Sequence, residues 1–176
     1  QYTHLYRSPL GTITLAADSE GLTGLWFEGQ KYFAATLDAQ HEETMLPIFE
    51  QTRRWLDNYF GGNDPGPTPP LHLQGSPFRL AVWEILRQIP FGKTITYGEI
   101  AREIARRQGS KTVPAQAVGG AVGHNPVSII VPCHRVVGSN GSLTGYAGGI
   151  ERKVRLLALE KADMTGLFAP QKGTAL

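Results

Sequence analysis

The chain of 176 residues carries 17 Lys/Arg against 15 Asp/Glu, with 41% hydrophobic residues and 1 Cys. This composition suits one globular domain or two small ones; it excludes a disulfide scaffold, no Cys/His cluster has zinc-ligand spacing, and no run approaches the ~18 apolar residues of a membrane span. The charge is divided, with four Lys/Arg against nine Asp/Glu in residues 1–75 and thirteen against six in residues 76–176, so the second half is suited to a polyanion, although an ordinary solvated surface explains a balance of this size equally well. Gln1–His4 lacks the charged and apolar regions of a signal peptide, and a cytoplasmic location is expected.

In chain order, Thr3–Arg7, Thr12–Ala17 and Leu22–Phe27 read as short strands joined by turns at Pro9-Leu10-Gly11 and Asp18-Ser19-Glu20-Gly21. A helix follows over Leu46–Phe60, with Ile48, Trp55, Leu56 and Tyr59 as its apolar face. The Gly/Pro-rich stretch from Gly61 to Pro70 can continue neither helix nor central strand and reads as a linker. The chain thus divides into a small α/β scaffold, residues 1–75, and a mostly helical part, residues 76–176, an α+β architecture in all.

Helix starts are well marked in the second part. Ser76-Pro77 supplies an N-cap and a first-turn proline before the stripe Val82, Ile85, Leu86, Ile89. Thr96 and Glu99 fit a capping box ahead of the face Tyr97, Ile100, Ala101, Ile104. After the basic turn Arg106–Lys111, Thr112 can cap another helix with a core stripe of Ala115, Val118, Gly119 and Val122. Two short helices joined by a turn suggest a helix-turn-helix. The second of them is poor in bulk, which requires a close contact: either tight packing on a neighbouring helix or insertion into a narrow groove. Asn125-Pro126 stops that helix and leads into a strand, Val127–Val131, that delivers Cys133. A last helix over Ile150–Lys161 would carry Ile150, Val154, Leu157 and Ala158 on its apolar side, with Glu160 near the edge of that face.

The chemistry concentrates at Pro132-Cys133-His134-Arg135-Val136. A thiolate is the reactive form of cysteine and a neighbouring imidazole generates it at neutral pH. Adjacent residues on a strand point to opposite faces, so Cys133 and His134 can meet only if the chain bends; a buried, inert cysteine is the competing reading.

The second part resembles the O6-alkylguanine-DNA alkyltransferase family, also called methylated-DNA–protein-cysteine methyltransferases. The resemblance rests on Pro132–Val136, preceded by Gly119-Gly120-Ala121 and Asn125-Pro126 and followed by Gly145–Gly149 and Leu156–Glu160. It covers about Phe78–Lys161; residues 1–75 are similar, more loosely, to the family's ribonuclease H-like N-terminal domain. It implies DNA repair by direct reversal, in which an alkyl group passes irreversibly from guanine O6 in double-stranded DNA to Cys133, with O4-alkylthymine left open as a second substrate.

The same resemblance implies the residue roles. His134 would take the thiol proton through a water, Glu160 would orient the imidazole, Asn125 would support the turn behind the reactive cysteine, and Tyr97 would donate to guanine N3. The base would be flipped into a pocket shaped by Val136, Tyr146 and Ala147. The thin helix, with Ala115, Gln116 and Gly119, would enter the minor groove, and Arg135 and Ser139 would belong to the DNA-binding surface. Gln116 stands where the family usually has an arginine that fills the gap left by the flipped base. No metal, no cofactor, no membrane and no obligate protein partner is implied, and a monomer acting once is expected. Two other classes remain: a lesion-binding protein without repair, whose family relatives replace the reactive cysteine, and a sequence-reading helix-turn-helix regulator, which the thin helix disfavours. A cysteine hydrolase shares the Cys-His-Glu logic but has no use for a basic, groove-fitting half.

Overall fold

The computed structural model describes residues 1–170, which divide into two compact units: residues 1–74 with 126–130, and residues 75–125 with the chain from Val131 onward. The first unit is built on a four-stranded sheet of order β3-β2-β1-β4, from β1 (Tyr2–Ser8), β2 (Gly11–Ala17), β3 (Leu22–Phe27) and the short β4 (Glu42–Glu43). β1, β2 and β3 pair antiparallel and β4 lies parallel to β1. The β2–β3 turn is an Asx turn in which Asp18 Oδ1 accepts from the amides of Glu20 and Gly21 at 2.9 and 3.1 Å. A side chain at Gly21 would lie 2.8 Å from the Pro70 carbonyl oxygen, so this close approach of two backbones requires glycine.

Helix α1 (Pro47–Phe60) packs beside β1, with His4 stacked on Phe49 and Tyr6 on Phe60, and with the Tyr6 hydroxyl donating to Asp57 at 2.7 Å. Its buried face is Phe49, Thr52, Leu56 and Tyr59. Ile48 and Trp55, expected on that face, are only half-buried. The helix is turned by a residue because Thr52 is admitted to the interior, where its hydroxyl donates to the Ile48 carbonyl at 2.7 Å. His72, after the Gly/Pro-rich stretch, places Nδ1 2.5 Å from Asp18 Oδ2 and Nε2 2.8 Å from Glu20 Oε2, so both ring nitrogens engage carboxylates of the β2–β3 turn.

The second unit opens with α2 (Pro77–Arg87), capped by the Ser76 hydroxyl accepting from the Arg79 amide at 3.2 Å. β5 (Ile95–Thr96) leads directly into α3 (Tyr97–Gln108), where Thr96 Oγ1 accepts from the Glu99 amide at 3.1 Å and Gly109, at φ 67°, ends the helix. The expected stripes of both helices are buried.

Helix α4 (Ala115–Gly123) starts later than expected: Pro114, not Thr112, is its N-cap residue, because the proline's fixed φ suits the helix boundary. Ala115 is exposed rather than part of the core stripe, while Val118, Gly119 and Val122 are buried. α4 packs on α2 and α3, and the Trp83 indole of α2 donates to its Ala121 carbonyl at 2.7 Å. β6 (Val136–Val137) runs parallel to β5, and α5 (Ile150–Leu159) closes the unit over a cluster of Val137, Leu143, Leu157 and Ala162.

Candidate active site

The route to Cys133 differs from a strand. Residues 126–130 belong to the first unit, where Val127 bridges Leu25 and the Ser128 amide donates to the Leu25 carbonyl at 3.0 Å. Residues 128–130 form a turn in which Ile129 adopts φ 69°, a left-handed conformation that a β-branched side chain disfavours by about 1–3 kcal/mol. The apolar run expected as a strand is thus a buried turn. Asn125 clasps its two ends within the second unit: Nδ2 donates to the Val131 carbonyl at 2.7 Å and to Cys133 Sγ at 3.1 Å.

After Pro132 the chain makes a single 3-10 turn, Cys133–Arg135. This is the bend that adjacency required. Cys133 is 3% exposed and His134 fully buried. Burial pushes the Cys133 thiol up; the Asn125 amide, the Lys153 charge and the backbone amides of Cys133 and His134 act against that. Burial likewise pushes the imidazole down, opposed by Glu160, whose Oε2 lies 2.5 Å from Nε2. The resting pair is therefore a neutral thiol beside a neutral imidazole.

Glu160 follows α5 as its C-cap residue and is itself buried. Burial would raise its carboxyl, but His134 and Arg135 hold it well below the usual carboxylate range. Its second oxygen, Oε1, accepts from Arg135 Nε at 2.7 Å and from the Gly92 amide at 2.9 Å. A solvent-facing glutamate at a helix end is the ordinary expectation, and the histidine partner reverses it. Arg135, expected at the DNA surface, is instead buried against Glu160, because its charge is the counterion of that carboxylate.

Parallel pairing of β5 with β6 places Tyr97 near the thiol: burial first, and then the Cys133 charge, raise its hydroxyl. Tyr97 stays protonated, and its hydroxyl donates to the Thr144 carbonyl at 3.3 Å. Val136 and Tyr146 are buried and Ala147 half-buried. The Tyr146 ring meets His134 edge-on, with centroids 6.3 Å apart. A Cβ at Gly148 would fall 2.5 Å from that ring, so the Gly-Tyr-Ala-Gly-Gly run lets the tyrosine lie against bare backbone. Ser139 is exposed, near the start of α3, where a Cβ at Gly98 would lie 3.3 Å from its hydroxyl. Ala115, Gln116 and Ala117 form the exposed side of α4, and space above Gly120 is open, while Gly119 faces inward. The small residues thus serve close packing on one side and leave a slender exposed edge on the other.

Lys153 was not anticipated. It is fully buried on α5; Nζ donates to the Val136 carbonyl, and to the Thr144 carbonyl at 3.2 Å. Burial lowers its pKa to about 8. Its position three residues after Ile150 and four before Leu157 sets it within the apolar stripe, a signal legible in the sequence.

Residues 77–162 match the family model described as 6-O-methylguanine DNA methyltransferase, DNA binding domain, and residues 1–71 match the model described as its ribonuclease-like domain. A methylated-DNA–protein-cysteine methyltransferase of Haemophilus influenzae is 42% identical over 161 residues, spanning 91% of this chain and 86% of the relative. The chain belongs to the 6-O-methylguanine DNA methyltransferase family. A family member from Methanosarcina acetivorans, also called methylated-DNA–protein-cysteine methyltransferase, is 42% identical over 90% of this chain and 97% of its own. The Mycobacterium tuberculosis OGT solved in complex with DNA superposes with a TM-score of 0.79 at 40% identity, covering 96% of this chain and 99% of that one. Among the described residues no helix is long and apolar enough to cross a membrane.

Proposed function

We propose that this protein repairs DNA by transferring the alkyl group of O6-alkylguanine in a duplex to Cys133, once per molecule. The observation that carries the reading is the buried chain Asn125–Cys133 and His134–Glu160, in which one side chain holds the sulfur and another fixes the neighbouring imidazole. With Nε2–H donated to Glu160, Nδ1 is the basic nitrogen that takes the thiol proton through a water. The sulfur then attacks the alkyl carbon, the C–O6 bond breaks, and its electron pair remains on the purine. Proton uptake at N1 restores guanine. Tyr97 donates to N3 as negative charge grows there, exchanging its Thr144 carbonyl partner for the base. The resulting thioether is a poor leaving group, so transfer is irreversible and needs no cofactor.

O6 is hidden in the stacked duplex, so the nucleotide must be flipped, at a cost of a few kcal/mol, into a pocket bordered by Val136, Tyr146 and Ala147. The slender edge of α4, with Ala115 and Gln116, fits the minor groove, with Gly119 behind it allowing close packing and Ser139 at the adjoining surface. Gln116 occupies the space left by the base; lacking the charge and planar stack of arginine, it gives weaker DNA affinity. If Gln116→Ala changes neither repair rate nor affinity, that role is wrong. The protein acts as a cytoplasmic monomer, without an obligate protein partner or metal.

The test is intact-protein and peptide mass spectrometry after incubation with duplex DNA carrying one O6-methylguanine. One methyl gained on Cys133, with loss of the lesion and no second turnover, is the expected result. An unmodified protein that still binds the lesion would establish recognition without repair and refute the transfer; the same oligonucleotide with O4-methylthymine defines the lesion range.

A further inference from the structure

Among the described residues the Arg135 side chain is engaged at three points, all inside the second unit. Its Nε donates to Glu160 Oε1 at 2.7 Å, its Nη1 donates to the Ile89 carbonyl at 2.7 Å, and the guanidinium carbon lies 5.9 Å from the Phe91 ring centroid. Residues 89–92 follow α2, and the same segment sends the Gly92 amide to Glu160 Oε1 at 2.9 Å. One oxygen of the carboxylate is thereby held by two donors, and the other faces His134. A side chain committed in this way, and only 8% exposed, is poorly placed to meet a phosphate.

We infer that Arg135 is a positioning residue for the alkyl transfer: anchored on Ile89 and Phe91, it keeps Glu160 ionised with Oε2 turned to His134, and so selects the imidazole tautomer that accepts the Cys133 proton. This rests on the reading of Cys133 as acceptor and His134 as base.

The physical argument concerns which way a proton points. A buried carboxyl without a cation drifts towards its neutral form. A neutral Glu160 could donate its own O–H to His134 Nε2, which would leave the ring proton on Nδ1 and remove the base that the thiol needs. An ionised Glu160 can only accept, so the ring proton stays on Nε2 and Nδ1 keeps its lone pair. Arginine suits this task because it remains charged at every working pH, and its fork can hold a carboxylate and a carbonyl together.

His134 and Arg135 face Glu160 from the 3-10 turn, and Glu160, Arg135 and Lys153 act on His134, where the Tyr146 ring also packs. The Arg135 charge taken alone opposes imidazolium formation, but Glu160, in direct contact, is the larger influence on His134. The net action of Arg135 on the base therefore passes through the carboxylate.

The test is the pH dependence of single-turnover methyl transfer from an O6-methylguanine duplex, for wild type, Arg135→Gln and Arg135→Lys, with melting curves to verify folding. Arg135→Gln should acquire an acid limb displaced to higher pH than in wild type, with transfer at least about tenfold slower near pH 6 and recovering as Glu160 ionises. Arg135→Lys, which retains charge but not the fork, should lie between the two, and in a Glu160→Gln background the arginine substitution should add little. A folded Arg135→Gln whose profile has the wild-type shape, whether or not scaled by a constant factor, overturns the inference. If Arg135→Gln does not fold, Arg135→Lys decides, since an unshifted acid limb in that variant overturns it equally. Failure of the wild type to gain a methyl would refute the transfer itself, so the two failures are distinguishable.

Discussion

Replacing Lys153 by Met separates what the buried ammonium costs the fold from what it does for the thiol. The lysine is fully buried, and its pKa falls from 10.5 to about 8; at 1.36 kcal/mol per pH unit the difference corresponds to about 3 kcal/mol. Above 10.5 the folded and unfolded lysines are both neutral and this stability is fully present; between the two values the unfolded chain binds more protons, so stability falls as pH is lowered and is lost once pH passes below 8. At pH 7 the wild type bears the full penalty of a buried charge. The Met variant avoids it but leaves the Val136 carbonyl without its Nζ donor, which costs about 1–3 kcal/mol, while the Thr144 carbonyl retains Tyr97. The two variants should therefore be of nearly equal stability at pH 7. At pH 10 Lys153→Met should be the weaker by about 2–3 kcal/mol.

Urea denaturation of both proteins at the two pH values measures this, in a Cys133→Ser background so that thiol ionisation does not enter. A stability difference that stays constant within about 1 kcal/mol between pH 7 and pH 10 would show that Lys153 does not titrate as its burial requires. Repair moves in the opposite direction. Lys153 is the cation that favours the Cys133 thiolate, and its removal takes that stabilisation away. Methyl transfer in the variant with Cys133 intact should slow by at least about tenfold.

Methylation of Cys133 adds bulk beside Asn125, whose amide lies 3.1 Å from the sulfur, at a cost of about 1–3 kcal/mol; calorimetry should find the spent protein melting several degrees lower, and equal melting temperatures would refute this. Glu103 of α3 binds the exposed side chains of Arg106 and Arg107 at 2.6 and 3.0 Å, so Glu103→Gln should release both for phosphate contact; undamaged duplex should bind a few-fold more tightly with a steeper salt dependence, and an unchanged salt slope would refute their availability. His72 is raised by its bond to Asp18. The stability it contributes is therefore complete below about pH 6.5 and is lost as pH rises through the higher folded value; His72→Gln should flatten the dependence of melting temperature on pH in that window, and an unaltered slope would count against the clasp.

Helices α2 and α3 were readable because each combined a start signal with a 3.6-residue stripe, at Ser76-Pro77 and at Thr96–Glu99, whereas α4 begins at Pro114 rather than at the cap that Thr112 offers. Strands β1, β2 and β3 were readable because Gly11 and Asp18–Gly21 mark the turns between them. Val127–Val131 was not, since a short apolar run looks the same whether it is a paired strand or a buried turn, and only the tertiary setting imposes φ 69° on Ile129. β4, two acidic residues long, has no pattern at all. In the site, Cys133, His134 and Glu160 are brought together as the family resemblance suggests, but proximity of Arg135 to the carboxylate cannot be read from a basic residue in a motif. Basic residues in a DNA-binding half are read as phosphate ligands, and only burial distinguishes a counterion from a contact.

The arrangement of charges explains why a protein that reacts once can afford to wait. Lys153 is buried at a cost in desolvation, yet it does not make the resting thiol ionise, because burial still outweighs it at Cys133. A protonated, enclosed sulfur is a poor target for oxidants and stray electrophiles. Lys153 favours the thiolate, and Glu160 the imidazolium, of the charge-separated state in which sulfur has lost its proton and His134 holds it, a state required only while an alkyl group is in position. Stabilising the reacting configuration without populating it at rest gives selectivity by timing, which a permanently ionised cysteine could not provide.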